Sequence, residues 1–200
     1  MFVLGLTGSI GMGKSSAAAM FRRLGVPVHD ADAAVHRLLA HDRATQAAID
    51  AAFPGCVRNG RVDRQMLGAR VFGDPAARRR LEAILHPRVR SMTRRFLARH
   101  ARARTPLAVL DIPLLYETGG ERLVDAVMVV SAPAFLQRQR VMRRPGMTGD
   151  KFAGILASQM PDREKRRKAD YVVETGLGKH YTWSKIHQIV TAIRARQERR

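Results

Sequence analysis

Short blocks of consecutive apolar residues alternate along this chain with longer stretches in which apolar positions recur every three or four residues. The blocks are Phe2–Leu6, Val26-Pro27-Val28-His29, Leu107–Leu110, Ala126–Val130 and Tyr171–Val173. Blocks this short, apolar on both faces, predict strands of a parallel sheet covered on both sides. Between them, Ser16–Leu24 is rich in helix formers and stops at Gly25, a residue suited to the left-handed position after a helix. A further helix is predicted over Ala33–Ala40. From His36 to Arg104 the pattern is helical, broken by Phe53-Pro54-Gly55 and by Val71–Pro75. Asn59-Gly60-Arg61-Val62-Asp63-Arg64 reads as a turn entering another helix, with Asp63 a candidate cap. Leu81, Ile84, Leu85 and Val89 fall near helical spacing, and His86-Pro87 is expected to interrupt or kink their helix.

Downstream, Pro133 opens a helix that runs to the break at Pro145-Gly146, and Lys151–Met160 and Glu164–Ala169 are further helix. Trp183, Ile186, Val190 and Ile193 form one apolar stripe on a closing helix. Residues Arg194–Arg200 are expected to be a frayed polar tail. Five short strands separated by helices predict a three-layer α/β fold around a five-stranded parallel sheet. The helical stretch 33–104 is too long to connect neighbouring strands, so it is expected to be a subdomain inserted into a single domain of 200 residues. There is no internal repeat and no low-complexity segment.

Composition adds a strong bias. With 36 Lys+Arg against 17 Asp+Glu, the formal net charge is +19 at pH 7. Such a field favours anionic partners, whether nucleotides, nucleic acids or acidic surfaces. The charges are spread over many apparent helices, however, which is the pattern of a solvated face. The single Cys56 excludes an internal disulfide and has no metal-ligand spacing around it, as expected in a reducing compartment. No basic residue precedes Lys14, so no basic-then-apolar leader is expected. No apolar run reaches the ~18 residues that span a bilayer. A soluble, cytoplasmic protein is expected.

The chemistry is most legible immediately after the first block. Gly8-Ser9-Ile10-Gly11-Met12-Gly13-Lys14-Ser15 fits the phosphate-binding pattern G-x-x-x-x-G-K-[ST] at every fixed position, between a predicted strand and a predicted helix. Glycines let backbone N–H groups approach phosphate oxygens, and the following helix, from Ser16 onward, turns its N-terminal donors on the same anion. Lys14 brings a full charge to the β- and γ-phosphates, and the Ser15 hydroxyl suits Mg²⁺. Asp30 and Asp32 follow the second block. Either serves as a helix cap, or as the carboxylate that takes a proton from an attacking hydroxyl at the carboxyl end of a parallel strand. Arg61 and Arg64 read as anion contacts or as ordinary surface charges, and His86 as a ligand or a structural histidine. The block Leu107–Leu110 closes on Asp111, where a phosphate-loop enzyme needs its metal-associated carboxylate. Arg138, Arg140, Arg143 and Arg144 precede a break and suit a lid closing on a polyphosphate, the alternative being a plain solvated helix.

These motifs together resemble the dephospho-CoA kinase family. The likeness runs from Leu6–Ser15 to Ala169–Val173, through Asp30-Ala31-Asp32, Asp63-Arg64-x-x-Leu67, His86-Pro87, Asp111-Ile112-Pro113-Leu114-Leu115-Tyr116-Glu117 and Gln137-x-x-Arg140. The resemblance implies a P-loop NTPase fold: a core (about 1–32, 105–135 and 168–200), a helical substrate-binding insertion (about 33–104) and a helical lid (about 136–167). It implies ATP-dependent phosphorylation of the ribose 3′-hydroxyl of dephospho-CoA, with Mg²⁺ as cofactor. Asp32, Lys14 and Arg140 are then the catalytic residues. Residues 8–16 (Gly8, Ser9, Ile10, Gly11, Met12, Gly13, Lys14, Ser15, Ser16) bind ATP with Arg140 and Arg144. Asp32, His36, Arg64, His86, Leu114 and Glu117 bind the acceptor, and Ser15 and Asp111 the metal. The chain departs from the family pattern at Thr175, where Asn is common, and at Ile155, where Arg is common.

The expected partners are ATP and dephospho-CoA, with neither nucleic acid nor membrane, in a monomer or small homo-oligomer. Two other readings fit parts of the sequence: a different nucleoside or nucleotide kinase, or a basic nucleic-acid-binding NTPase. Against the last stand the lack of zinc-finger spacing, the lack of an RNP-like motif, and aromatics at only 6% of residues for base stacking.

Overall fold

A computed structural model gives the fold, and residues 1–199 are described. The chain divides into two compact units, one made of Met1–Asp30 with residues 100 onward, the other of Ala31–Arg99. In the first unit β1 (Phe2–Thr7) leads through the Gly8–Gly13 loop into α1 (Lys14–Arg23), and β2 (Val28–Asp30) follows. The turn after α1 closes as its sequence demands. Gly25 is left-handed (φ +69°), its N–H bonds Arg22 O, and Val26 N–H reaches back to Phe21 O, both at 3.0 Å.

The second unit holds α2 (Ala31–His41), α3 (Arg43–Ala52), the hairpin β3 (Val57–Arg58) with β4 (Arg61–Val62), α4 (Arg64–Val71) and most of α5 (Pro75–Arg102). Its core is Leu39, Ile49, Phe53, Cys56, Val62, Leu67, Ala77 and Leu85. Three expectations are corrected here. Asn59-Gly60 does not enter a helix directly: Asn59 (φ 50°) and Gly60 (φ 67°) are both left-handed and close the antiparallel pair Val57↔Val62. Helix α2 begins at Ala31, so Asp32 lies inside its first turn and does not cap it. Helix α5 runs through Pro87 without interruption, and Arg88 Nη1 donates to Ile84 O at 2.8 Å one turn back. The Asp63 cap is as expected, its carboxylate accepting from Gln65 and Met66 N–H at 3.0 Å.

Back in the first unit come β5 (Leu107–Asp111), β6 (Ala126–Ser131), α6 (Ala134–Met142), α7 (Gly149–Ala157), α8 (Asp162–Lys168), β7 (Tyr171–Glu174) and α9 (Lys179–Glu198). The sheet is parallel throughout, in the order β2-β5-β1-β6-β7. Side chains alternate across it. Leu4, Leu6, Met128 and Val130 pack on one face against Ala17 and Phe21 of α1 and Ile186, Val190 and Ile193 of α9. On the other face Val127 and Val129 pack with Leu115. This is the three-layer arrangement expected, built on a P-loop sheet with β1 at its centre. Trp183 of the predicted stripe is only half-buried and carries the Arg23 guanidinium 5.1 Å over its ring. The expected frayed tail is helical to Glu198, tied by Arg194 Nη2 to Leu24 O at 3.0 Å; Arg200 of that tail lies outside the described residues. No described helix is long and apolar enough to cross a membrane.

Candidate active site

The carboxyl ends of β1, β2, β5 and β6 meet around the Gly8–Ser15 loop, where parallel sheets bind ligands. The loop follows the backbone that its glycines permit. A Cβ at Gly8 would stand 2.7 Å from Val130 O, and Gly13 caps α1 at φ +89°. No described side chain caps α1, and no acid lies in its first turn, so the first N–H groups and the positive helix end face the loop.

The loop is also held from outside. Gln137 Nε2 donates to Ile10 O at 2.8 Å, and Ile10 N–H donates to Gln159 Oε1 at 3.0 Å. Ala132 N–H donates to Met12 Sδ at 3.1 Å, and Thr175 Oγ1 donates to Met12 O at 2.8 Å. A loop fixed on both sides keeps its donors aimed before any anion arrives, which is what electrostatic preorganisation requires.

Charge converges on the same place. Lys14 Nζ lies 2.6 Å from Asp111 Oδ1, and the Asp111 carboxyl is almost fully buried. Asp30 stands in register with Asp111 on the neighbouring strand. With the hydroxyl of Ser15, the second residue of α1, these give hard oxygen donors and no soft ones, the set that suits Mg²⁺. The Ser9 hydroxyl is buried in the loop without a hydrogen-bond partner. Among the described residues no three His, Cys, Asp or Glu side chains cluster to hold a metal by themselves.

Of the predicted lid, Arg140 reaches the loop. Its Nη1 donates to Thr175 Oγ1 at 2.9 Å and Gly11 O at 3.4 Å, and its Nη2 to Thr175 O at 2.8 Å. Arg144 stands exposed on the turn after α6. In the segment after β5, Leu114 is half-buried with its carbonyl accepting from Thr118 Oγ1 at 2.7 Å. Glu117 Oε1 accepts from Met160 N–H and pairs with the fully buried Lys165 ammonium, both at 2.8 Å. Burial pushes the Glu117 carboxyl up, but the bonds from Lys165 and Met160 outweigh it and hold it below the usual carboxylate range.

In the second unit Asp32 and His36 lie four residues apart and so share one face of α2, both exposed. Arg64 Nη2 comes within 3.4 Å of His36 Nε2. His36, Arg37, His41, Arg61 and Arg64 line a cavity of about 310 Å³ with Val62 among its apolar residues. Arg61 is carried by β4 of the hairpin that the sequence pattern hid, and Arg64 opens α4 directly after the Asp63 cap. His86 stands exposed on α5.

Gln159 and Lys165 escaped the sequence reading as members of this site, and Thr175 entered it only as a departure from the Asn that the family often has near the adenine. Lys165 sits in Lys165-Arg166-Arg167-Lys168, and nothing local separates the one buried cation from its solvated neighbours. Thr175 and Gln159 act on residues 163 and 149 positions away, beyond any local pattern.

Comparison with known proteins finds similarity along nearly the whole chain. The sequence profile of CoaE, dephospho-CoA kinase, matches residues 2–178. The chain is 68% identical over 166 residues to a dephospho-CoA kinase of Paramagnetospirillum magneticum, covering 83% of this chain and 78% of that protein. It is 56% identical over 197 residues to a dephospho-CoA kinase of Mesorhizobium japonicum, covering 98% and 99%. Among solved structures, TT1252 from Thermus thermophilus superposes with a TM-score of 0.84 at 36% identity, covering 96% of each chain.

Proposed function

The chain belongs to the dephospho-CoA kinase family and is a phosphotransferase of coenzyme A biosynthesis, and from that premise we propose which of its residues carry the transfer from ATP to the ribose 3′-hydroxyl of dephospho-CoA. The observation that supports the assignment best is the Gly8–Ser15 loop, clasped at Ile10 and Met12, with Lys14 and Arg140 converging on it.

The N–H groups of residues 8–16 bind the ATP phosphates, and Lys14 and Arg140 neutralise the charge that builds on the transferring group. Arg144 joins them from the turn after α6, in a lid formed by about residues 136–167. Ser15 and Asp111 would hold Mg²⁺, which would offset the negative charge of the phosphates. The helical unit Ala31–Arg99 binds the acceptor, whose diphosphate is anionic. His36 and Arg64, paired on the rim of a basic cavity, take that anion. His86, Leu114 and Glu117 complete the acceptor contacts. The Asp32 carboxylate accepts the proton of the ribose 3′-hydroxyl as the hydroxyl oxygen attacks the γ-phosphorus of ATP, the bond from that phosphorus to the β,γ-bridging oxygen breaks and ADP leaves.

The reaction takes place in the cytoplasm with ATP and dephospho-CoA as the only substrates. The test is ADP release measured across dephospho-CoA, adenosine and nucleoside monophosphates, with and without Mg²⁺. Turnover is expected to need dephospho-CoA and Mg²⁺ together. Equal or faster turnover with a nucleoside monophosphate would move the chain to a different acceptor.

A further inference from the structure

Arginine is a long, flexible side chain, and an arginine that meets a transferring phosphoryl group is useful only if its fork is already aimed. Arg140 is aimed chiefly by one residue, with Gly11 O a more distant acceptor of its Nη1 at 3.4 Å. Thr175 takes both of its terminal nitrogens, Nη1 on the hydroxyl at 2.9 Å and Nη2 on the backbone carbonyl at 2.8 Å. The same hydroxyl has a single proton, and it goes to Met12 O at 2.8 Å, with Ser131 O more distant at 3.3 Å. Thr175 is nearly buried, and it also bounds the loop sterically, since a Cβ at Gly13 would stand 3.0 Å from its Oγ1.

We infer that Thr175 is the positioning residue of the phosphoryl transfer: its hydroxyl couples the Arg140 fork to the backbone of the phosphate loop, so that the arginine and the loop N–H groups present one fixed anion site. The inference rests on the role proposed above for Arg140. It assigns to Thr175 a part in phosphate recognition through Arg140, with no contact to the base or the phosphate required. The chemistry explains why a hydroxyl suits the position. It donates to Met12 O and accepts from a cation at the same time, and a β-branched stem holds it in one rotamer.

The experiment is a cycle of variants measured by ATP-dependent turnover with both substrates titrated. Thr175→Val keeps the shape and the carbonyl but removes the hydroxyl; Thr175→Ser keeps the hydroxyl; Thr175→Ala is measured beside Val in case the valine form does not fold. Losing a hydrogen bond to a charged group corresponds to about 10- to 100-fold in kcat. That fall is expected for Val and Ala, with KM for dephospho-CoA within about twofold of the parent, and Ser is expected to restore most of the loss. In an Arg140→Ala background, Thr175→Val is expected to add less than about twofold, because the group it positions is gone. Thr175→Val within about threefold of the parent, beside a disabled Arg140→Ala, would overturn the proposal. So would a Val effect of equal size with and without Arg140, which is the signature of a merely structural residue. Parental turnover for Arg140→Ala itself would overturn the role given to that arginine, and this inference with it.

Discussion

The structure removes one of the two sequence readings of Asp32, the helix cap. A helix cap precedes the helix and holds its first N–H groups, but Asp32 is already inside the first turn of α2. Its helical worth is limited to the dipole, typically a few tenths of a kcal/mol to about 1 kcal/mol at an exposed site. Asp32→Asn is therefore expected to keep its fold and ATP binding while turnover falls at least about a hundredfold, as loss of a general base does. Steady-state kinetics beside a nucleotide-binding titration checks it, and near-parental turnover would remove Asp32 from the chemistry. Single residues were legible in the sequence where chemistry restricts the residue type. Only Gly tolerates the Gly8 approach and the Gly13 backbone, and only a cation serves at Lys14. Thr175 was visible only as a departure from a family pattern, because a hydroxyl shows no sign of which groups 35 and 163 residues away will meet it.

Elements were read best where the apolar pattern is unambiguous. All five parallel strands fall where short, doubly apolar blocks predict them. The hairpin at Asn59-Gly60 was missed because strands of two residues have too few side chains to show alternation. At Pro87 the sequence rule lost to context, since Leu85 is buried in the unit's core and Leu81 and Ile84 pack against it, fixing the turns that lead into the proline, and Arg88 Nη1 donates back to Ile84 O across it. Between α7 and β7 the decisive contact is the pair of Lys165 with Glu117, which anchors α8 to the segment after β5. Removing one partner of a buried pair typically costs about 3–5 kcal/mol, so Lys165→Met is expected to destabilise by that order at pH 7. In the parent, the depressed Glu117 pKa gives stability that is present above the ordinary carboxylate range and lost as pH falls through the folded value. Without Lys165, burial dominates and the carboxyl of Glu117 shifts upward, so acidification relieves the variant. The gap between the two proteins is therefore expected to narrow from pH 7 to pH 4 in urea unfolding curves. A gap independent of pH would mean that the ion pair does not anchor α8.

At the scale of the whole molecule, the net charge of +19 is the feature that fold and site leave unassigned. A kinase acting on a small substrate needs only a handful of cations, the part proposed above for Lys14, for Arg140 and, separately, for the basic cavity of the Ala31–Arg99 unit. The remaining surplus is spread widely, as on α5, whose exposed arginines are opposed on that helix by Glu82 alone among acids. A diffuse field attracts any polyanion, but it builds no stacking platform or base-reading element. Single-stranded RNA is therefore expected to bind weakly and through counterion release, losing affinity with a slope of about −0.7 per phosphate contact on a double-logarithmic salt plot. ATP engages few charges at a preorganised loop, so its KM is expected to change by less than about threefold between 50 and 200 mM salt, on the order of the shift allowed to a small screened ligand. The two titrations, run side by side with ADP release as the readout, distinguish a kinase with a solvated basic surface from a nucleic-acid-dependent NTPase. RNA-stimulated ADP release that survives at 200 mM salt, without dephospho-CoA, would assign the surplus charge a function of its own. Turnover indifferent to RNA, with RNA binding lost over the same salt range, leaves the charge as a solvating surface and the chemistry at the loop.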